Sequence, residues 1–315
     1  MRFSALDSAP VRAGGSVGVA LAEAVERAGR LEELGCHRVW FTEHHLAPDV
    51  GSSAPLLLAG QAAVRTGRIR VGAGGVMIRN HAPLVAAEQA ATLSLLHPGR
   101  VDVGLGRSGG SEPSTDVRIR RTVLDYDSFD DDVRETVHHL GVLGAADVQV
   151  FVLAASPGTA TFAAREGLGL AVAGHVAPAD LERTVAAYRA HLRDDPYVVL
   201  CLPVVVAGSD DEARWWFSSV QQRYLDRLRT GGAPMRLPDD VELDWSASER
   251  YRVDGMLDAA VVGSADTVRR RLREIDERLA PDEVMAMTDL PDPEATIRSF
   301  TRLAEVVAEM PVVRA

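Results

Sequence analysis

The chain has 315 residues, 46% of them apolar, with a net charge of -11 and a pI near 5.3. That length allows one large domain or two ordinary ones, each with a sizeable core. The acidic balance argues against nucleic acid or an anionic membrane as partner. All 34 basic residues are arginine, which excludes a Schiff-base lysine.

MRFSALDSAP carries no long apolar stretch, and no apolar window of about 18 residues reads as a membrane span, so a cytoplasmic location is expected. Cys36 and Cys201 lie in apolar contexts and read as core thiols. FSAL is a short strand. VALAEAVERAGRLEELG has apolar residues at helical spacing and stops at Gly35. HRVWFTEHH follows as a strand, PLLLAGQAAVRTG as a helix and IRVGAGGVM as a strand. PLVAAEQAATLSLLHPG reads as a helix closed by Pro98-Gly99, and RVDVGLGR as a strand. FDDDVRETVHHLGVLG is a helix with an acidic first turn. VQVFVLAAS, LGLAVAG and YVVLCLPVVVAG are strands, each followed by a helical run. A polar stretch over 231–255 interrupts the rhythm. The helix SADTVRRRLREIDERL, the strand DEVMAMTDL and the helix PEATIRSFTRLAEVV close the chain.

Eight strands alternate with helices, and several are apolar without alternation, as in parallel strands covered on both faces. The expected fold is α/β: one (β/α)8 TIM barrel over 1–315, with an insertion before the last β/α unit. The 231–255 stretch is expected to be that insertion, a loop or lid near the barrel mouth. A doubly wound open sheet is the alternative.

In such a barrel the C-terminal ends of strands build the site. Strand two ends in Glu43-His44-His45, directly after an apolar run. Burying them is costly unless partners satisfy them. They are either a catalytic or metal-binding cluster, or histidines paired with carboxylates and backbone. Neighbours in a strand point to opposite faces, so His44 and His45 are a poor chelating pair and no metal is expected. Strand three ends in Gly74-Gly75, and strand four in Gly106-Arg107 within GLGRSGG. Strand five ends in Ala155-Ser156-Pro157-Gly158-Thr159. Glycines let backbone approach a flat ligand, arginine can fork onto phosphate, and a small-residue turn opening a helix presents N–H groups to an anion. Together they describe a site for a planar, phosphate-bearing molecule. His175 ends strand six and is a better pocket candidate than His81. His138-His139 and Asp130-Asp131-Asp132 read as surface, and Trp215-Trp216-Phe217 as a buried helix face.

The runs VWFTEHH, RIRVGAGGVMIRNHAPLVAAEQAATLSLLHPGRVDVGLGR and AASPGTATFAAREGLGLAVAGH, with VVGSADTVRRRLREI and DEVMAMTDL near the end, resemble the bacterial luciferase-like, flavin-dependent monooxygenases. GGVM-x-x-NH-x-P followed by AEQ, HPGR and GLGR is a long, specific pattern, and the resemblance covers nearly the whole chain.

The resemblance implies FMN bound at the C-terminal mouth, reduced by a separate flavin reductase, with dioxygen used to oxygenate a small organic substrate. Secondary metabolism is the expected setting, and a homodimer through helices near strands two and three the expected assembly. It makes His44 the active-site histidine and candidate general base, with Glu43 and His45 beside it as the rest of the catalytic group. It places Leu6 beneath the ring and Gly106 near it. Gly74-Gly75 would pack against the ring, where the family often has a non-proline cis peptide. Arg107, Ser156 and Thr159 would hold the phosphate within the Ala155–Thr159 turn, together with Gly158. The family often has Ser-Ser where this chain has Ala155-Ser156, and Pro157 removes one N–H donor. A deazaflavin-dependent dehydrogenase, a flavin-binding protein without turnover and a metal-dependent hydrolase are the rival readings.

Overall fold

Unbroken apolar runs become parallel strands because helices cover one face and the barrel interior the other. They are β1 (Arg2–Asp7), β2 (Arg38–Phe41), β3 (Arg70–Met77), β4 (Val101–Gly106), β5 (Gln149–Ala154), β6 (Gly169–Ala173), β7 (Val198–Ala207), β8 (Val261–Ser264) and β9 (Glu283–Met287). The helices are α1 (Val17–Glu33), α2 (Pro55–Arg65), α3 (Pro83–Leu96), α4 (Phe129–Val142), α5 (Pro157–Arg165), α6 (Leu181–Ala190), α7 (Asp210–Thr230), α8 (Ala247–Met256), α9 (Ala265–Leu279) and α10 (Pro293–Ala308). The computed structural model describes residues 1–110, 115, 118–119, 128–192, 197–241 and 245–310.

β1 to β7 pair in sequence order, β7 pairs with β9, and β9 returns to β1, all in parallel. This is the closed eight-stranded barrel expected from the rhythm. β8 lies outside it. β7 is ten residues long and serves three partners: Val198–Cys201 pair with β6, Val199–Pro203 with β9, and Val204–Ala207 with β8.

Three expectations on element placement are corrected. β2 stops at Phe41, so Thr42–His45 are irregular backbone rather than strand. VVGS was not expected to pair, yet it forms β8. The stretch expected to be an insertion loop carries α8. Ser246 accepts from the Glu249 N–H and Glu249 reaches back to the Ser246 N–H, a capping box that starts this helix without an apolar stripe. Residues 242–244 of that stretch lie outside the described residues.

A charged layer closes the lower barrel. Arg38 is fully buried, bonds Asp102 at 2.7 Å and Glu283 at 2.9 Å, and lies between the rings of Trp40, Phe151 and Tyr197. A buried guanidinium is tolerable only with such partners. Above it pack Leu6, Trp40, Phe151, Ala171, Val199, Cys201 and Met285. That apolar layer is the floor on which the mouth is built.

Candidate active site

The strand ends surround a cavity of about 420 Å³. Leu6, Trp40, Ala171 and Cys201 form its floor, with Leu6 and Trp40 opposite each other in the β1–β2 register. Gly74, Met77, Gly106 and Leu153 form the wall, and His44, Arg107, Ser108, Ser156, Thr159 and His175 its polar rim. A larger hollow of about 580 Å³ at the other end of the barrel, around Met1, Glu32, His37 and Met310, gathers none of these residues.

Of the residues singled out in the sequence, Leu6, Glu43, His44, Gly74, Gly106, Arg107, Ala155, Ser156 and Thr159 line this cavity. His45, Gly75 and Gly158 do not. The Gly74–Gly75 peptide is cis. A Cβ on Gly74 would stand 2.8 Å from Trp40 and 2.9 Å from Leu6, so the wall is pared to backbone where floor and wall meet.

Ser156 caps α5, and its hydroxyl lies 3.3 Å from that of Thr159. The helix begins at Pro157, which has no N–H to offer. Arg107 lies over the Phe129 ring at 4.7 Å and pairs with Asp130 at 3.2 Å, both partners well exposed. Such a pair is weak and readily exchanged.

His44 is held at both ends. Its N–H donates to the Ser52 carbonyl at 3.0 Å, and Nδ1 lies 3.2 Å from the Gly110 carbonyl. A carbonyl only accepts, so Nδ1 carries the proton of the neutral ring and Nε2 the lone pair. Burial, with Arg227 and Arg223 nearby, lowers the His44 pKa to about 4, so the ring is neutral near pH 7.

Glu43 faces a different task. Its carboxylate meets His45 Nε2 at 2.8 Å and His81 Nε2 at 3.0 Å, and accepts from the Met77 N–H at 3.0 Å and Asn80 Nδ2 at 3.1 Å. Burial alone would raise its pKa, but the hydrogen bonds from His45 and His81 hold it at about 2. Glu43 therefore ties the end of β3 to the turn after β2. Asn80 and His81, the NH of the quoted motif, belong to this hub, a role the sequence reading did not assign.

A second buried network was also missed. Arg223 of α7 bonds Asp49 at 2.6 Å, Asp289 at 2.7 Å and the Ser8 hydroxyl at 2.9 Å, while Arg227 adds a bond to Asp49 at 2.7 Å. It joins the ends of β1 and β9 to the loop that anchors His44. His175, the favoured pocket histidine after strand six, lines the cavity, and Tyr224 donates to its carbonyl at 3.2 Å. Cys201, read as a core thiol, is buried in the floor, and burial pushes its thiol up to about 12. Among the described residues, no three His, Cys, Asp or Glu side chains are grouped to hold a metal ion. Nor is any helix among them long and apolar enough to cross a membrane.

Comparison with known proteins bears on what this cavity does. The family model described as luciferase-like monooxygenase matches residues 1–145 and 142–282. A luciferase-like monooxygenase of Escherichia coli strain K12 is 36% identical over 327 residues, covering 98% of this chain and 97% of its own. The crystal structure of apo-MsnO8 superposes with a TM-score of 0.85 at 25% identity, covering 98% of this chain and 99% of that one. The oxygenating constituent of 3,6-diketocamphane monooxygenase from Pseudomonas putida, solved with FMN, superposes with a TM-score of 0.74 at 16% identity, covering 100% of this chain and 99% of that one.

Proposed function

The chain belongs to the luciferase-like monooxygenase family, and from that premise we propose that it is a cytoplasmic FMN-dependent monooxygenase. It takes reduced FMN from a separate reductase and uses dioxygen to oxygenate a small organic substrate. The observation that carries this reading is one cavity in which a phosphate-fitting rim, a glycine-pared wall and a neutral histidine meet.

The residues fit the cofactor. Two hydroxyls, on Ser156 and Thr159, and an exchangeable guanidinium on Arg107 make a donor set for a phosphate. Gly74 lets Leu6 and Trp40 pack directly against the β3 backbone, so floor and wall meet in a flat corner against which a planar ring can lie. When bound, reduced FMN supplies the electrons that activate dioxygen. The chain does the rest. Leu6, Trp40 and Met77 exclude water, and Arg107, Ser156 and Thr159 hold the phosphate. His44 Nε2 is the base that takes or returns a proton at the reacting centre. Glu43 and His45 are positioning residues, because the Glu43 carboxylate is spent on the His45 ring and on the β3 end rather than on the cavity.

The assembly proposed is a homodimer through α2 and α3. Leu57 and Val64, one face of α2, are 75% and 76% exposed, and Leu95 and Leu96 of α3 are 60% and 70% exposed. The two helices pack side by side.

Anaerobic titration with reduced FMN, followed by a dioxygen pulse, tests the function. Saturable binding and oxygen-dependent reoxidation with kinetics unlike those of free reduced FMN are expected. No binding would overturn the reading. Binding of a deazaflavin with hydride transfer and no oxygen uptake would replace it with the dehydrogenase alternative.

A further inference from the structure

Among the described residues, two that line the cavity carry sulfur, Met77 and Cys201. They differ in reactivity. A cysteine reacts with peroxide as its thiolate, and burial holds the Cys201 thiol up at about 12, so it stays protonated. A thioether needs no deprotonation and is oxidised as it stands.

Met77 ends β3, opposite Gly106 of β4. A Cβ on Gly106 would meet Met77 Sδ and Cε at 2.8 Å and Leu153 Cδ1 at 3.4 Å, so the thioether lies along the wall where three cavity-lining residues converge. Met77 Cγ lies 3.1 Å from the place a Cβ on Gly110 would take. The backbone here is tied down, because the Met77 N–H donates to the buried Glu43 carboxylate at 3.0 Å. The Ser108 hydroxyl, also at the cavity, donates to the sulfur at 3.3 Å. A thioether accepts only weakly, so this contact matters more for the exchangeable proton it sets beside the sulfur.

We propose that Met77 is an oxidation site that switches the enzyme off when it turns over without an organic substrate. This rests on the flavin reading above. Reduced FMN and dioxygen then give oxidised FMN and hydrogen peroxide, two electrons and two protons passing to dioxygen. The peroxide forms in the cavity that Met77 lines. A lone pair on Sδ attacks one peroxide oxygen and the O–O bond breaks. The leaving hydroxide takes the Ser108 proton, and Ser108 takes the proton of the new S–OH group. The products are methionine sulfoxide and water. The added oxygen has no room on the Gly106 and Gly110 sides, so it stands into the cavity and turns an apolar wall polar. Methionine sulfoxide reductase reverses the change.

The test turns the full chain over with photoreduced FMN and dioxygen, with catalase present and no organic substrate. Peptide mass spectrometry follows the seven methionines. Met77 is 8% exposed, whereas Met1, Met256 and Met287 are partly exposed, so added hydrogen peroxide without flavin should oxidise those three first. Turnover should reverse the order: Met77 gains one oxygen first, at a rate catalase does not change. Reduced-FMN affinity should fall by about 5- to 150-fold as Met77 is oxidised, the size of overpacking a fitted wall, and recover with methionine sulfoxide reductase. Ser108→Ala keeps the sulfur and should slow its oxidation, while a wild-type rate would overturn the proton relay. Met77→Leu, of similar volume, should hold its own initial affinity through the same turnover. Oxidation in order of exposure, or complete Met77 oxidation with unchanged affinity, would overturn the switch. Reduced FMN that binds and reoxidises while Met77 stays intact would overturn it too and leave the flavin reading standing. Failure of the wild-type chain to bind reduced FMN would overturn both.

Discussion

The Gly110 carbonyl lies 3.2 Å from Nδ1 of His44, and that contact decides which ring nitrogen faces the chemistry. Gly110 has a φ of +66°, and a Cβ there would run into the Glu43 carbonyl, so glycine is required for the approach. With Nδ1 protonated against a carbonyl, Nε2 is the working base. Burial and the Arg227 and Arg223 charges depress its pKa to about 4, below the ordinary histidine value of about 6.5. The base form therefore persists well into mild acid. The acid limb of kcat/KM assigned to His44 should fall as pH drops through about 4, with no break near 6.5. His44→Ala should abolish that limb and lower oxygenation by about 10²–10⁴-fold while changing FMN affinity little. Equal losses of turnover and binding would remove His44 from proton transfer.

Arg107 is the test of the phosphate rim. Its pairing with exposed Asp130 is worth little, so the guanidinium can leave it for a dianion. A hydrogen bond to a charged group contributes about 1.5–3 kcal/mol, so Arg107→Ala should weaken FMN by about 10–150-fold. Riboflavin lacks the phosphate and should bind the variant nearly as well as the wild type. Parallel weakening of both ligands in a fluorescence titration would move the phosphate elsewhere.

Glu43 stands beside His44 in sequence but differs in consequence. Its carboxylate is 1% exposed and joins His45, His81, Asn80 and the Met77 N–H. Removing one partner of a buried charged hub costs about 3–5 kcal/mol. Glu43→Ala should show that loss in urea denaturation of the ligand-free chain. The folded pKa of about 2 lies below the unfolded value of about 4.5, so Glu43 contributes its stability above about pH 4.5 and loses it as pH falls towards 2. The variant's stability should accordingly depend less on pH over that interval. A loss of turnover without loss of stability would instead make Glu43 catalytic.

The barrel was legible because it rests on local pattern: each strand is a short apolar run, and each helix an apolar stripe with its own stops. β8 was not, because VVGS is too short for any period and pairs only with the free upper edge of β7. α8 has one buried residue, Val253, so it lacks a stripe, although its S-x-x-E capping box was in plain sight. At the site, the glycines and Arg107 were readable because strand ends announce themselves. The ionic networks were not. Arg223 stands 174 positions from Asp49, and Arg38 stands 245 from Glu283, so only the closed barrel shows that they meet.

Arg223 ties these distances to the chemistry. It is buried on α7 and holds Asp49, Asp289 and Ser8 with bonds of 2.6, 2.7 and 2.9 Å. The loop it fixes carries Ser52, whose carbonyl accepts the His44 N–H. Arg223→Met keeps the aliphatic volume but takes the guanidinium from two buried carboxylates, leaving Asp49 with Arg227 alone and Asp289 with the Ser8 hydroxyl. That should cost about 3–5 kcal/mol, read as a lowered midpoint in thermal or urea denaturation. The variant also removes one of the two cations that depress His44, so the His44 pKa should rise from about 4 towards its ordinary value. The acid limb of turnover must then move to higher pH, and titration of the His44 ring by NMR must follow it. Arg223→Lys, which keeps the charge but not the fork, should leave the limb near its wild-type position while losing part of the stability. A destabilised Arg223→Met whose acid limb stays at pH 4 would confine Arg223 to holding the fold.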